Sequence, residues 1–317
     1  MRVCIIGLGM IGRALAEEFS RAHHVMVIDN QAHKADLVRE YGCEFMNADI
    51  TDPGSLKTKL AEWAPNCLIL TAAISTIESA VADPARAFAV NVIGTLNVLK
   101  AAVELGIKNV LYVSTDKTAA TAQTADESAA YATGTKCPYV LSKIAAEIAA
   151  INLFGDKLTL TVLRPANVIG RDSVASRIVP RTCRRLIDGM KPLVNRATQH
   201  VKREFLFDRD LAKAVRGLAE LRAGSPLGVE IYNIGSGSVL SAVQMVQALL
   251  LIAGKRPDYY ELTDLQGRGH ELGDQQLDSR KLKVALPEWR STPIDSALEW
   301  VYNYYRDESN GNWRAAA

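Results

Sequence analysis

Residues 5–15 read IIGLGMIGRAL, with Gly7, Gly9 and Gly12 in G-x-G-x-x-G order directly after an apolar run. That run, RVCIIG, shows no polar alternation, which predicts a strand covered on both faces, and the residues after it carry helical spacing. Glycines at such a turn let the backbone approach a pyrophosphate closely, and the free amides of the following helix meet its charge. The next apolar run ends in VIDN, which places Asp29 seventeen residues beyond Gly12. A carboxylate there accepts hydrogen bonds from ribose hydroxyls and repels the extra phosphate of NADP, so NAD is the expected cofactor. Gly7, Gly9, Met10, Ile11, Gly12, Asp29 and Asn30 are its expected contacts at this end of the fold.

Working outward, RVCIIG, HVMVID, CEFMNA, NCLILTAA, NVLYVS and LTLTVLRP alternate with helically spaced segments at 10–21, 33–41, 54–63, 85–105 and 138–154. Strand and helix in regular alternation predict an α/β fold, a Rossmann doubly wound parallel sheet. Beyond Pro165 the alternation loosens. Helices are expected at 178–189, 208–222, 239–253 and 293–305, and a strand at 229–235. This pattern predicts an NAD-binding domain over 1–165 and a smaller, mainly substrate-binding domain over 166–317, with about 205–240 returning to the first.

Bulk properties narrow the chemistry. The chain has 317 residues, 48% of them hydrophobic, enough for a substantial core. Its formal net charge of +2 has both signs interspersed, so nothing argues for nucleic acid or an anionic membrane surface. No secretory leader is read, and no apolar run approaches the roughly 20 residues of a membrane helix. Five scattered cysteines without C-x-x-C spacing suggest reduced thiols and a cytoplasmic protein. Cys137 reads as packing rather than as a nucleophile. The five histidines form no metal-binding array, so no metal is expected.

Two further stretches carry chemistry. CPYVLSKIAAE places Tyr139 and Lys143 four residues apart, on one face of a helix. A free tyrosine titrates at about 10 and is a poor base at neutral pH; an ammonium beside it predicts a phenol drawn towards working range. VLYVSTDKTA, residues 110–119, ends an apolar strand in Thr115, Asp116 and Lys117, a hydroxyl, a carboxylate and an amine in succession. In doubly wound folds ligands bind at the carboxyl ends of the strands, which is where this triplet falls.

Together these motifs resemble the extended short-chain dehydrogenase/reductases of the NAD-dependent epimerase/dehydratase family, which act on nucleotide sugars; the resemblance runs from the first strand to about residue 305. It implies that Tyr139, Lys143 and Thr115 are catalytic, and that Tyr139 and Lys143 also contact NAD. NADITDPGSL resembles the adenine-contacting segment, implying Asp49 and Ile50. LTAAIS implies Thr71, Ala72 and Ala73 beside the cofactor and Ser75 beside the substrate, and NVIGTLNVLKAA is similar to the helix carrying Asn91. LRPANVIG implies Asn167 as a substrate contact, VKREFLFDRDLAKAV implies Arg203, and GRGHELGDQQLDSRKLK implies Arg268 on the diphosphate; Val179 is a further expected substrate contact. The sequence departs from the family at Ile5 and Ile6, where a Thr and a first Gly are usual, and at Leu70, where a His is common.

STDK resembles the Asp-Lys version of the triplet found in some sugar 4,6-dehydratases, which implies Asp116 and Lys117 as catalytic. Oxidising C4 of a hexose needs only the tyrosine and NAD, whereas eliminating water across C5 and C6 also needs a base and an acid. The expected activity is therefore an NAD-dependent nucleotide-sugar 4,6-dehydratase. A nucleotide-sugar 4-epimerase or reductase, and a non-catalytic NAD-binding regulator, are the alternatives. The resemblance also implies a homodimer through the helices at 85–105 and 138–154.

Overall fold

The computed structural model describes residues 1–120, 124–264 and 273–310. Six strands, β1 (Arg2–Ile6), β2 (His24–Asp29), β3 (Glu44–Asn47), β4 (Cys67–Leu70), β5 (Asn109–Val113) and β6 (Thr159–Pro165), belong to one sheet. A seventh, Gly228–Ile234, pairs along the whole of β6 and completes the order Gly228–Ile234, β6, β5, β4, β1, β2, β3. Every pairing is parallel. The strands are apolar because both faces are covered. Val3, Ile5, Val27, Ile69 and Leu111 pack on one side with the helices Met10–Ser20 and Asp208–Arg222. Cys4, Ile6, Ile28, Leu68 and Val110 pack on the other with Pro53–Trp63, Thr95–Glu104 and Pro138–Phe154.

Strand order reverses between β1 and β4, so the loops after these two strands diverge and leave a crevice above the sheet. Glycine shapes that crevice. Gly7 adopts φ +106°, and a Cβ there would lie 2.4 Å from the Ala72 nitrogen; one at Gly12 would lie 1.9 Å from the Gly7 carbonyl oxygen. Any side chain at either position would push the loop off the sheet.

The long helical stretch Pro84–Glu104 is interrupted by a π-helical turn over Ala89–Gly94. Gly94 lets it sit against Ile50, whose Cδ1 would be only 2.5 Å from a Cβ. The stretch spans 21 residues and contains an 18-residue window of mean hydropathy 1.3, enough by length and composition alone to cross a bilayer, though Arg86, Asn91, Asn97, Lys100 and Glu104 interrupt it. Here it covers the sheet and packs against Pro53–Trp63 and Pro138–Phe154.

A second core joins Ile178–Ile187, Ala242–Ile252 and Ile294–Ser309 around Phe205, Phe207, Met245 and Val301. The expected helix at 239–253 divides into a strand, Val239–Ser241, and the helix Ala242–Ile252. Ser241 and Gln244 form a capping box that fixes the division. This layer faces the carboxyl ends of the sheet strands across the cavity described next.

Candidate active site

A cavity of about 630 Å³ runs from the glycine loop to the ends of β5 and β6. At one end lies Asp29, at the tip of β2. Its Oδ2 accepts the Leu8 amide at 2.6 Å and the Lys34 ammonium at 3.3 Å, and its Oδ1 accepts the Gln31 amide at 2.9 Å. The carboxylate therefore ties the glycine loop to β2 while facing the cavity, with a cation beside it. Asp49 lines the same end, bonded to Asn30 and Thr51 and 3.5 Å from Arg86. Gly7, Gly9, Met10, Ile11, Gly12, Asn30, Ile50, Thr71, Ala72 and Ala73 all line the cavity.

At the other end β5 stops and Thr115, Asp116 and Lys117 turn into the cavity. The side chain of Thr115 caps a short 3₁₀ turn over Asp116–Thr118 by accepting the Lys117 amide. Its hydroxyl donates to Asp116 Oδ1 at 3.0 Å. The same carboxylate oxygen accepts the Lys117 ammonium at 3.0 Å, and that ammonium also donates to Asn167 Oδ1 at 2.9 Å. Asn167 in turn donates to the Glu204 carbonyl at 3.1 Å. Asn167 lines the cavity as expected of a substrate contact, but its carboxamide is engaged with Lys117 and the neighbouring backbone.

Tyr139 opens the helix Pro138–Phe154, where Pro138 starts the first turn. It lines the cavity together with Thr115. Lys143 lies one turn on, buried behind the cavity lining, with its ammonium on the Val113 carbonyl at 2.8 Å and over the Tyr112 ring. Burial lowers this lysine to about 7, against the opposing pull of Glu147. Burial pushes the Tyr139 phenol up to about 12, helped by the Asp116 charge and opposed by Thr115 and Arg177. In the protein without its cofactor, desolvation outweighs the favourable neighbours of this phenol.

Behind this wall sits Glu147, wholly buried. It accepts Ser114 Oγ at 2.5 Å, Tyr131 at 3.2 Å and Arg164 Nε at 2.9 Å. One carboxylate thus fastens the end of β5 and the helix Pro138–Phe154 to β6. Asn91 is a second fastening. It occupies the π-helical turn, 1% exposed, and lies outside the cavity lining. Its carboxamide accepts the Ile74 amide at 2.8 Å and donates to the Ile74 carbonyl and Ser142 Oγ. It shapes the loop after β4 without lining the cavity that this loop borders.

Ser75, Val179 and Arg203, the expected substrate contacts, also line the cavity. Arg203 donates to the carbonyls of Lys202 and Gly273; Arg268 lies outside the described residues. Arg177, which sequence reasoning passed over, lines the cavity too. Its guanidinium bonds Asp172 Oδ2 at 2.8 Å and Ser75 Oγ at 3.1 Å, linking the loop before Ile178–Ile187 to the loop after β4. Only its charge singled it out in the sequence.

The model of the NAD dependent epimerase/dehydratase family matches residues 3–235, most of the chain. The protein belongs to that family.

Among its relatives, dTDP-D-glucose 4,6-dehydratase of Mus musculus is 27% identical over 235 residues, spanning 72% of this chain and 63% of the mouse protein. UDP-glucose 4-epimerase of Caenorhabditis elegans is 22% identical, over 80% of this chain and 84% of the nematode enzyme. Among solved structures, Thermus thermophilus UDP-glucose 4-epimerase in complex with NAD superposes with TM-score 0.85 at 25% identity, covering 96% of this chain and 99% of that one.

NAD is the cofactor of this epimerase/dehydratase family member, and its residues fit the group. The helix Met10–Ser20 starts at Gly9 with no side chain capping its first amides, and the position of a Cβ on Gly9 is open space. Uncapped amides facing a cavity are a pyrophosphate cradle that any larger residue would fill. Asp29, a carboxylate acceptor lining the same cavity, would take the ribose hydroxyls.

Proposed function

We propose that the protein is an NAD-dependent nucleotide-sugar 4,6-dehydratase, converting an NDP-hexose to the NDP-4-keto-6-deoxyhexose. The observation that carries this reading is the pair Asp116–Lys117 on the cavity wall beside Tyr139. Oxidation and epimerisation at C4 do not require such a pair; elimination does, because C5 must lose a proton and the C6 hydroxyl must gain one.

Bound NAD accepts a hydride and later returns it, so it is regenerated within a turnover. The chain's own residues handle protons. Tyr139 takes the proton of the C4 hydroxyl, with Thr115 holding that hydroxyl in place. The ketone at C4 acidifies C5–H, and Lys117 or Asp116 removes this proton. Protonated Asp116 assists departure of the C6 hydroxyl as water. Arg177 and Arg203, on the cavity wall, supply positive charge suited to a diphosphate.

The second reading, a UDP-glucose-type 4-epimerase, is favoured by the epimerases among the relatives and structures. Incubating the purified protein with a panel of nucleotide hexoses and adding alkali separates the two. A dehydratase produces the keto-sugar chromophore; an epimerase returns a C4 epimer and no chromophore.

A homodimer belongs to the same reading. Phe88, Ile93 and Val103 on Pro84–Glu104 and Ile148 and Leu153 on Pro138–Phe154 expose apolar side chains, Ile93 and Leu153 by more than half. Two adjacent helices with such a face suit a second copy of themselves. A reducing, cytoplasmic setting suits five buried free thiols, of which burial raises Cys43 to about 11 and Cys67 and Cys183 to about 12.

A further inference from the structure

Asp29 is expected from the sequence to turn NADP away, and a bare carboxylate would do so. The fold does not leave it bare. Lys34 ends the short 3₁₀ turn Ala32–Lys34 and sets its ammonium 3.3 Å from Asp29 Oδ2. That oxygen also accepts the Leu8 amide at 2.6 Å, and Oδ1 accepts the Gln31 amide at 2.9 Å. Asp49 is likewise met by a cation, Arg86 at 3.5 Å, and all four residues line the cavity. Both acids that the sequence assigns to the cofactor thus have a counter-cation on the cavity wall.

Exposure separates the two pairs. The Arg86 side chain is 46% exposed, where water and salt screen its charge. The Lys34 side chain is 20% exposed and rests on a carboxylate that is 9% exposed, so its charge is screened less. An ammonium has three donor hydrogens, and among the described residues Asp29 is the acceptor that the Lys34 side chain engages. Donors are left over for a ligand in the cavity.

We propose that Lys34 is a specificity-determining residue of the cofactor site: it offsets the Asp29 charge and offers an ammonium to a phosphate on the adenosine ribose, so that the cavity admits NADP as well as NAD. An anion approaching Asp29 alone meets a full negative charge; approaching the pair, it meets a dipole whose positive end carries spare donors. An ammonium is a point charge on a flexible stem, able to stay on Asp29 when a ribose hydroxyl is present and to turn to a phosphate when there is one. A cofactor that takes up a hydride and returns it within one turnover draws on neither the NAD nor the NADP pool, so the proposed chemistry sets no requirement for discrimination. Lys34 acts on the cofactor alone, for a dehydratase and an epimerase alike.

Calorimetric titrations of the full chain with NAD and with NADP test the pair. The wild type is expected to bind NADP within about tenfold of NAD. Lys34→Met keeps the stem and removes the charge; it should weaken NADP by about tenfold or more and change NAD by less than about threefold. Lys34→Arg should restore NADP binding. Equal losses for the two cofactors, no loss for NADP, or a wild type that takes up no NADP would each overturn the assignment.

Two smaller probes, adenosine 2′,5′-bisphosphate and AMP, locate the effect by competition against NAD. Lys34→Met is expected to weaken the bisphosphate and leave AMP unchanged; equal weakening of both would make Lys34 a general anion contact and sink its role in specificity. Should Lys34→Met not fold, the wild type decides: the bisphosphate must compete within about tenfold of AMP, and a weaker one overturns the proposal. None of these measurements involves a sugar. A protein that binds NADP through Lys34 yet makes no keto-sugar from any nucleotide hexose loses the dehydratase reading and keeps this one.

Discussion

Two carboxylates flank the end of β5, and they are built for opposite purposes. Asp116 faces the cavity, and the side-chain donors Thr115 and Lys117 share a single oxygen of its carboxylate. Glu147 lies on the other side of the strand, surrounded by Ser114, Tyr131 and Arg164, with both oxygens engaged. A carboxylate with a free oxygen facing a cavity can meet a ligand, whereas one whose oxygens are taken up by donors and a guanidinium serves as a fastening. Chemistry and scaffolding are thus separated by the thickness of one strand.

The sharpest test of this contrast is Asp116→Asn. Turnover to keto-sugar is expected to fall by about 10³-fold, the range typical of removing a general acid. Substrate should still partly reduce bound NAD, and denaturant midpoints should stay near wild type. An unchanged rate of product formation would remove Asp116 from the elimination step. Glu147→Gln should do the reverse. Breaking a buried ion pair costs about 3–5 kcal/mol of stability, read as a lowered urea midpoint, because Arg164 is left buried and unpaired. A midpoint within error of wild type would make Glu147 dispensable as a fastening.

Lys143 sharpens the contrast through pH. Its folded value of about 7 lies below the ordinary lysine value of 10.5. Between those limits the unfolded chain binds a proton that the folded chain does not, so stability rises as pH increases through this window. The cost of burying the charge is felt in full below about 7 and vanishes above about 10.5. Lys143→Met should flatten that rise, measured by chemical denaturation across the window; an unchanged slope would place the titrating group elsewhere. The smallest effect is expected at Asp29→Ala. NAD affinity should fall by about tenfold, the loss of one charged hydrogen-bonding partner, and NADP affinity by less. Calorimetric titrations giving equal losses would argue that Asp29 serves only the glycine loop.

The sequence made the glycine loop and the strand-end triplet legible because their chemistry is local: spacing alone puts those residues on the edge of a parallel sheet. Fastenings were harder to see. Glu147 stands four residues beyond Lys143, an ordinary helical repeat, and its meaning depends on Arg164 arriving from β6. Asn91 reads as one polar residue on an apolar helix, and only the π-helical turn shows that it grips the Ile74 backbone instead of lining the cavity. Glu204 reads as one charge beside Arg203, yet it accepts the Gly237 and Leu277 amides and binds three chain segments together. Arg177 was invisible because the residues it joins, Ser75 and Asp172, are remote from one another in the chain. The burial of the Tyr139 phenol was not legible, because spacing reports neighbours and says nothing of desolvation.

The strand Gly228–Ile234 closes the sheet from far along the chain. During synthesis the first six strands emerge from the ribosome well before their seventh, leaving β6 with an unpaired row of amides and carbonyls. Such an edge is an open template for mispairing with another nascent chain. A truncated product ending before this strand should consequently depend on chaperones to stay out of aggregates, even though it contains the glycine loop, the triplet and the helix Pro138–Phe154.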